Sequence, residues 1–191
     1  MAFNISSFER WSVGNLVDNR TRGIFAEWMV GQTLGVIADQ DLREEWAPFD
    51  LHYGAVRVEV KASGYSQTWN PDNPTTPRFG IKGVYWVWED WTKGHTPPDG
   101  WVGKERRSGF WTRNEHPVRQ SDVYVFCLHE SLPATNENVA DPRTWKFWII
   151  PTKTLNTELG EQASLGIATL NQLASPVTWE EIKAAIDAFN L

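Results

Sequence analysis

The sequence predicts an α/β fold, a mixed central sheet flanked by helices, on three observations. Residues Asn19 to Leu34 carry Ile24, Phe25, Trp28 and Met29 near helical spacing. Residues Val56 to Ala62 alternate apolar and charged side chains with the two-residue period of a strand. Asp122 to His129 is a continuous apolar run, the pattern of a strand buried on both faces.

Each element has its own local signals. For the first helix, Asp18 or Asn19 can act as cap and Gly35 as the stop. Val36 to Ala38 reads as a short strand. Trp46 to Tyr53 and Ala55 to Ala62 read as two β-segments joined by a tight turn at Gly54. From Ser63 to Gln120, prolines at 71, 74, 77, 97 and 98 break the pattern repeatedly. Within this stretch, Phe79 to Trp91 suits a helix or a strand equally. A region this long with little order of its own is unexpected in a compact domain, so residues 64–120 are read as an insertion with a purpose, within a single domain spanning 1–191. Order returns at Asp122 to His129 and at Trp145 to Ile150, a strand ended by Pro151. Thr178, with Glu181 three residues on, opens a last helix whose apolar face is Ile182, Ala185, Ile186 and Phe189.

Composition bounds the function. With 41% hydrophobic and 22% charged residues, the 191-residue chain can bury a proper core. One cysteine, Cys127, excludes an internal disulfide and a cysteine-rich zinc site; its apolar neighbours make it a buried, inert thiol. No apolar segment reaches the ~20 residues needed to cross a bilayer, and the first ten residues lack the pattern of a signal peptide. A cytoplasmic protein is therefore expected. A formal charge of -6 argues against a protein that coats nucleic acid nonspecifically, yet a carboxylate-rich active site is itself negative. Twelve tryptophans fit a core or a binding surface equally well.

The charged face of Val56 to Ala62 carries the chemistry. Arg57, Glu59 and Lys61 share it, and Asp50 lies on the neighbouring segment across the Gly54 turn, so the Asp50 and Glu59 carboxylates can meet. Magnesium takes hard oxygen ligands and keeps several waters; two carboxylates and the Val60 backbone carbonyl make an adequate cage. Lys61, roughly 6.6 Å along the strand from Glu59, can hold an attacking water and stabilise charge developing on a phosphate. The plainer readings are that Glu59 and Lys61 form a solvated face, that Asp50 is a turn residue, and that Arg57 pairs with an acid. His52, His95, His116 and His129 lack metal-ligand spacing, and Ser63 and Ser66 lack a histidine partner.

In Pro48-Phe49-Asp50 and Glu59-Val60-Lys61 the chain resembles the PD-(D/E)XK nuclease superfamily, the restriction-endonuclease-like fold. The family's commonest first motif has proline directly before aspartate, whereas here Phe49 intervenes. The resemblance implies an αβββαβ core and a Mg²⁺-dependent nuclease, with Mn²⁺ able to substitute. Asp50 and Glu59 would bind the metal together with the Val60 carbonyl, and Lys61 would position the water. It also implies assisting roles for Glu27, on the preceding helix, and Gln67, six residues past Lys61. DNA is the expected partner and RNA the second, and cleavage of both strands by a single-site enzyme would favour a homodimer. Lys104, Arg106, Arg107, Arg113 and Arg119 lie among tryptophans of the insertion, a composition that suits phosphate neutralisation with base stacking and equally a solvated loop whose tryptophans pack onto the core. Trp86, Trp88 and Trp91 are read as core packing instead. The alternative function is a catalytically silent member of the fold that binds nucleic acid or a protein partner; a small-ligand pocket lined by tryptophans is a third reading.

Overall fold

The structure is a computed structural model that describes residues 4–43, 47–70, 73–90, 105–106 and 109–190. After a short helix, α1 (Ile5–Val13), comes α2 (Asn19–Leu34). The Asp18 carboxylate accepts from the Arg20 and Thr21 amides at its start, and Gly35, at φ 71°, ends it in the left-handed region. β1 (Leu51–Tyr53) and β2 (Val56–Gly64) form the expected hairpin. Its turn requires Gly54, whose φ is 60°.

β2 then pairs in parallel with β7 (Val123–His129), and β7 pairs antiparallel with β8 (Trp145–Pro151). The sheet order is β1-β2-β7-β8, a mixed four-stranded sheet. Every residue of β7 is buried, which explains its uninterrupted apolar sequence. Val123, Val125 and Cys127 face a core shared with Ala26 and Val30 of α2 and with Ile182 and Ile186 of the C-terminal helix α6 (Ile182–Asp187). Tyr124, Phe126 and Leu128 face a second core. Phe79, from β3 (Arg78–Gly80), Leu155, from α4 (Thr152–Leu159), Leu165, from β9 (Ser164–Gly166), and Leu170, from α5 (Ile167–Leu173), close that side. Helices thus cover both faces of the sheet. Among the described residues no helix is long and apolar enough to cross a membrane.

Several expectations are corrected. Val36 to Ala38 is not a strand, because its backbone groups close the end of α2 instead. The Val36 amide donates to the Gly31 carbonyl, the Gln32 side chain donates to the Ile37 carbonyl, and the Ala38 amide donates to Asp41. The first β-segment is confined to Leu51–Tyr53, since Pro48 has no amide to offer a ladder and residues 48–50 bend; Trp46 lies outside the described residues. The Thr178–Glu181 capping box forms, but its first turn is a 3-10 turn and α6 ends at Asp187, leaving Phe189 exposed.

The insertion also has its own order. β4 (Val84–Asp90) and β6 (Gly109–Val118) pair antiparallel, with β5 (Glu105–Arg106) beside β6, while β3 pairs with β9 outside the insertion. Phe79 to Trp91 is therefore two strands where it is described, the end of β3 and the whole of β4, joined by irregular residues 81–83. The crossover between β2 and β7 carries strands and no helix among its described residues, so the expected αβββαβ order is met only in part. Trp86 is 53% exposed and does not pack in the core; it lies opposite Arg113 on the separate β4-β6-β5 sheet. Trp88 meets Trp111 edge to face, and Trp91 lies outside the described residues. In the 152–173 region, where the pattern suggested no elements, α4, β9 and α5 supply one wall of the second core.

Phe126 anchors that core, fully buried, with the Phe79 ring edge-on at 5.4 Å and Tyr124 stacked at 5.7 Å. Phe126→Ala is expected to lower unfolding free energy by about 3–5 kcal/mol, measured by urea denaturation; a loss below about 1 kcal/mol would mean that the core collapses around the gap.

Candidate active site

Burial of Val58 and Val60 against the α2 side decides where their neighbours go. Glu59 and Lys61 must point to the opposite face of β2, beside Tyr124 and Phe126, their register partners on β7. There the Lys61 ammonium is hydrogen-bonded to Glu59 Oε1 as an ion pair. The second carboxylate oxygen, Oε2, accepts from the Ser121 hydroxyl at 3.1 Å. Arg57, two residues earlier, is held by Asp122 through its backbone amide and two guanidinium contacts, the acid partner expected for it.

Asp50 reaches the same place from the edge of the sheet. β1 begins only at Leu51, opposite Val58, so the next amide of β2 on that edge, at Val60, has no strand partner beyond it. The Asp50 carboxylate completes the ladder: its Oδ2 accepts from the Val60 amide at 2.7 Å, between Glu59 and Lys61 in sequence. The backbone amide of Asp50 donates to the Val58 carbonyl at 3.1 Å, which holds the bend in place. Asp50 is therefore not a residue of the Gly54 turn. Its remaining oxygen, Oδ1, has no hydrogen-bond partner among the described residues. Because the amide and carbonyl of one strand residue face the same edge, the Val60 carbonyl points to the side on which Asp50 sits.

The electrostatics are unbalanced. Burial, then the Glu59 charge, push the Asp50 carboxyl up to about 7; Lys61 and the Val60 amide act the other way, and Glu27 adds a further upward push. On the adjacent strand, burial together with Glu59 raises the Tyr124 phenol above its ordinary value. Asp50 thus titrates upward chiefly because it is buried and then because Glu59 is near, and the Lys61 ammonium, paired with Glu59, offsets this only in part.

The other expected residues divide. Glu27 is buried on α2 and its charge reaches Asp50, but both of its oxygens are engaged by Arg43, with contacts of 2.7 to 3.0 Å. Gln67 is not brought to the site. Its amide donates to the Gly64 carbonyl and to Thr75, and its oxygen accepts from Arg22, so it secures the far end of β2. Arg106 falls on β5 and Arg113 on β6, where its guanidinium lies 5.9 Å over the Tyr85 ring; Lys104 and Arg107 lie outside the described residues. Arg119 is fixed by the Ile81 and Gln162 carbonyls and Asn156. Ser121 is the residue that the sequence pattern missed. It is 62 positions from Glu59, and only the parallel pairing of β2 with β7 brings them together.

As a place for a divalent cation, the group has two carboxylates and one carbonyl-bearing edge, a donor set that suits Mg²⁺ with most of its waters retained. Among the described residues no cluster of three or more His, Cys, Asp or Glu side chains is close enough to hold a metal ion. A cation at this place would rest, among the described residues, on Asp50, Glu59 and backbone oxygen. Compared with family models, with curated proteins and with solved structures, the chain matches none.

The Asp50 shift has a consequence for stability. The unfolded chain loses this proton near pH 4, whereas the folded protein keeps it to about pH 7. Between those values the folded state holds the extra proton, so the contribution of Asp50 to stability falls as pH rises through this window and is flat above it. Asp50→Asn keeps an acceptor for the Val60 amide and removes the charge. The variant is expected to be more stable than wild type by about 1–2 kcal/mol at pH 8, with the difference vanishing towards pH 4, followed by thermal melting. Identical pH dependence in the two proteins would contradict the raised carboxyl.

Proposed function

We propose that this chain is a metal-dependent nuclease of the restriction-endonuclease-like type, hydrolysing phosphodiester bonds in DNA, with RNA as the second substrate. The observation that carries this reading is the convergence of Asp50 and Glu59 on the two sides of the Val60 amide, with Lys61 against Glu59. The order of α2, β1 and β2, and the parallel neighbour β7, support it. Asp50 and Glu59 would hold Mg²⁺ or Mn²⁺, with the Val60 carbonyl as a third oxygen. When bound, the cation would activate a water and neutralise charge on the phosphate. Lys61, paired with Glu59, would direct its ammonium toward the attacking water, and Ser121, donating to Glu59 Oε2, would hold that carboxylate in orientation.

One observation favours a second reading. Lys61 pairs with Glu59, and Glu27 with Arg43, so the charged groups largely satisfy one another. A catalytically silent protein of this fold, binding nucleic acid or a protein partner, would look the same.

Metal binding and turnover separate the two. Calorimetry with Mn²⁺ is expected to give binding that weakens about tenfold or more in Asp50→Asn and in Glu59→Gln, while Lys61→Ala binds at least as tightly as wild type. Cleavage assays with single- and double-stranded DNA and RNA are expected to show Mg²⁺-dependent products that fall about 100-fold or more in Lys61→Ala. Metal binding without cleavage above the level of Lys61→Ala would leave the silent reading.

A further inference from the structure

A surface cleft of about 510 Å³ opens beside the acidic pair, on the same face of the sheet. Its lining includes Arg57, Arg119, Ser121, Asp122, Lys153 and Asn156. Ser121 is the shared wall: its hydroxyl donates to Glu59 on one side, and it lines the cleft on the other. The charge of the cleft is opposite to that of the acidic pair. Three cations face one carboxylate, and Asp122 is already matched by Arg57.

The cations are held in different ways. Arg119 is held in place by three of its five N–H donors, directed to Ile81, Asn156 and Gln162, and it lines the cleft with two donors to spare. Lys153 has no ion pair among the described residues and is exposed on the first turn of α4. That helix starts at the cleft. Its start is tied down by the Thr152 amide on the Asp122 carbonyl and the Thr152 hydroxyl on the Ser121 carbonyl at 2.6 Å, yet its first-turn amides have no side-chain cap. A built cleft with excess positive charge and open amides suits a tetrahedral oxyanion.

We infer that this cleft is a phosphate subsite, which takes a phosphate of the substrate strand next to the one at Asp50 and Glu59. Arg57 and Glu59 are two residues apart on one face of β2, so cleft and acidic pair are separated by about 7 Å along the strand, comparable to one nucleotide step. That the phosphate belongs to a substrate strand rests on the nuclease reading; oxyanion binding by the cleft does not.

The test uses the full chain. Inorganic phosphate, titrated and followed by ³¹P line broadening, is expected to bind wild type at about 1–10 mM, and Lys153→Glu about tenfold more weakly. Lys153→Gln, which removes the charge without reversing it, should fall between them, and circular dichroism checks that each variant is folded. With Ca²⁺ to withhold cleavage, a short oligonucleotide bearing a 5′-phosphate or a 5′-hydroxyl separates the sources of the phosphate. Loss of affinity in Lys153→Glu for the phosphorylated end alone assigns a terminal phosphate, and equal loss for both assigns an internal one. Absence of phosphate binding by wild type up to about 50 mM, or equal binding by folded Lys153→Glu, overturns the subsite. Phosphate binding that depends on Lys153 without any metal-dependent cleavage would leave the subsite standing and remove the nuclease reading.

Discussion

The parallel pairing of β2 with the fully buried β7 is the constraint on which the rest of the molecule depends. β7 has no polar face, so both of its sides must be covered, one by α2 and α6 and the other by β3, α4, β9 and α5. Once β2 is in register with it, Val58 and Val60 have to enter the first core, and Glu59 and Lys61 have to emerge on the second side. A slip of one residue would exchange those faces and bury two charges among aliphatic side chains, so the register is strongly specified. The chemistry of the site is thus placed by hydrophobic burial elsewhere.

The edge of the sheet places the remaining part. Because β1 is only three residues long, the Val60 amide is left to a side chain, and Asp50 is the side chain that takes it. The bond fixes the aspartate where burial disfavours its ionised form, and the Glu59 charge adds to that penalty. A structural capping role would account for the hydrogen bond, but it would be met as well by a neutral acceptor. The carboxylate is the costlier choice in a metal-free protein, which is the physical argument for a function that needs its charge. Beyond Ser121 the sign of the surface reverses, so one face of the sheet offers carboxylates and cations side by side.

Much of this was legible along the chain because the signals were local. The boundaries of α2 follow from Asp18 and Gly35, the hairpin from Gly54 between two β-segments, and β7 from its unbroken apolar run. Glu59 and Lys61 are grouped by two-residue alternation along β2, and Asp50 is close to them in sequence, one short hairpin away. Gln67 failed for the opposite reason: sequence proximity suggested a site residue, whereas the strand continues past Lys61 and carries it to the buried Gly64 carbonyl and Arg22. Trp86 likewise followed composition toward a core, while its place on a separate small sheet leaves it exposed.

Periodicity and turn chemistry, which act over a few residues, are enough to specify α2, the β1-β2 hairpin, the doubly buried β7 and the nearness of Glu59 to Lys61. Only the tertiary structure decided which distant groups complete the site. Ser121 meets Glu59, Asp122 meets Arg57, Arg43 engages Glu27, and Lys153 on α4 lines the same cleft as Arg119. No local pattern encodes those meetings: Arg43 reaches Glu27 through the loop after α2, and the others follow from the crossover that carries the chain from β2 to β7 and from the way the sheet is covered on its second face.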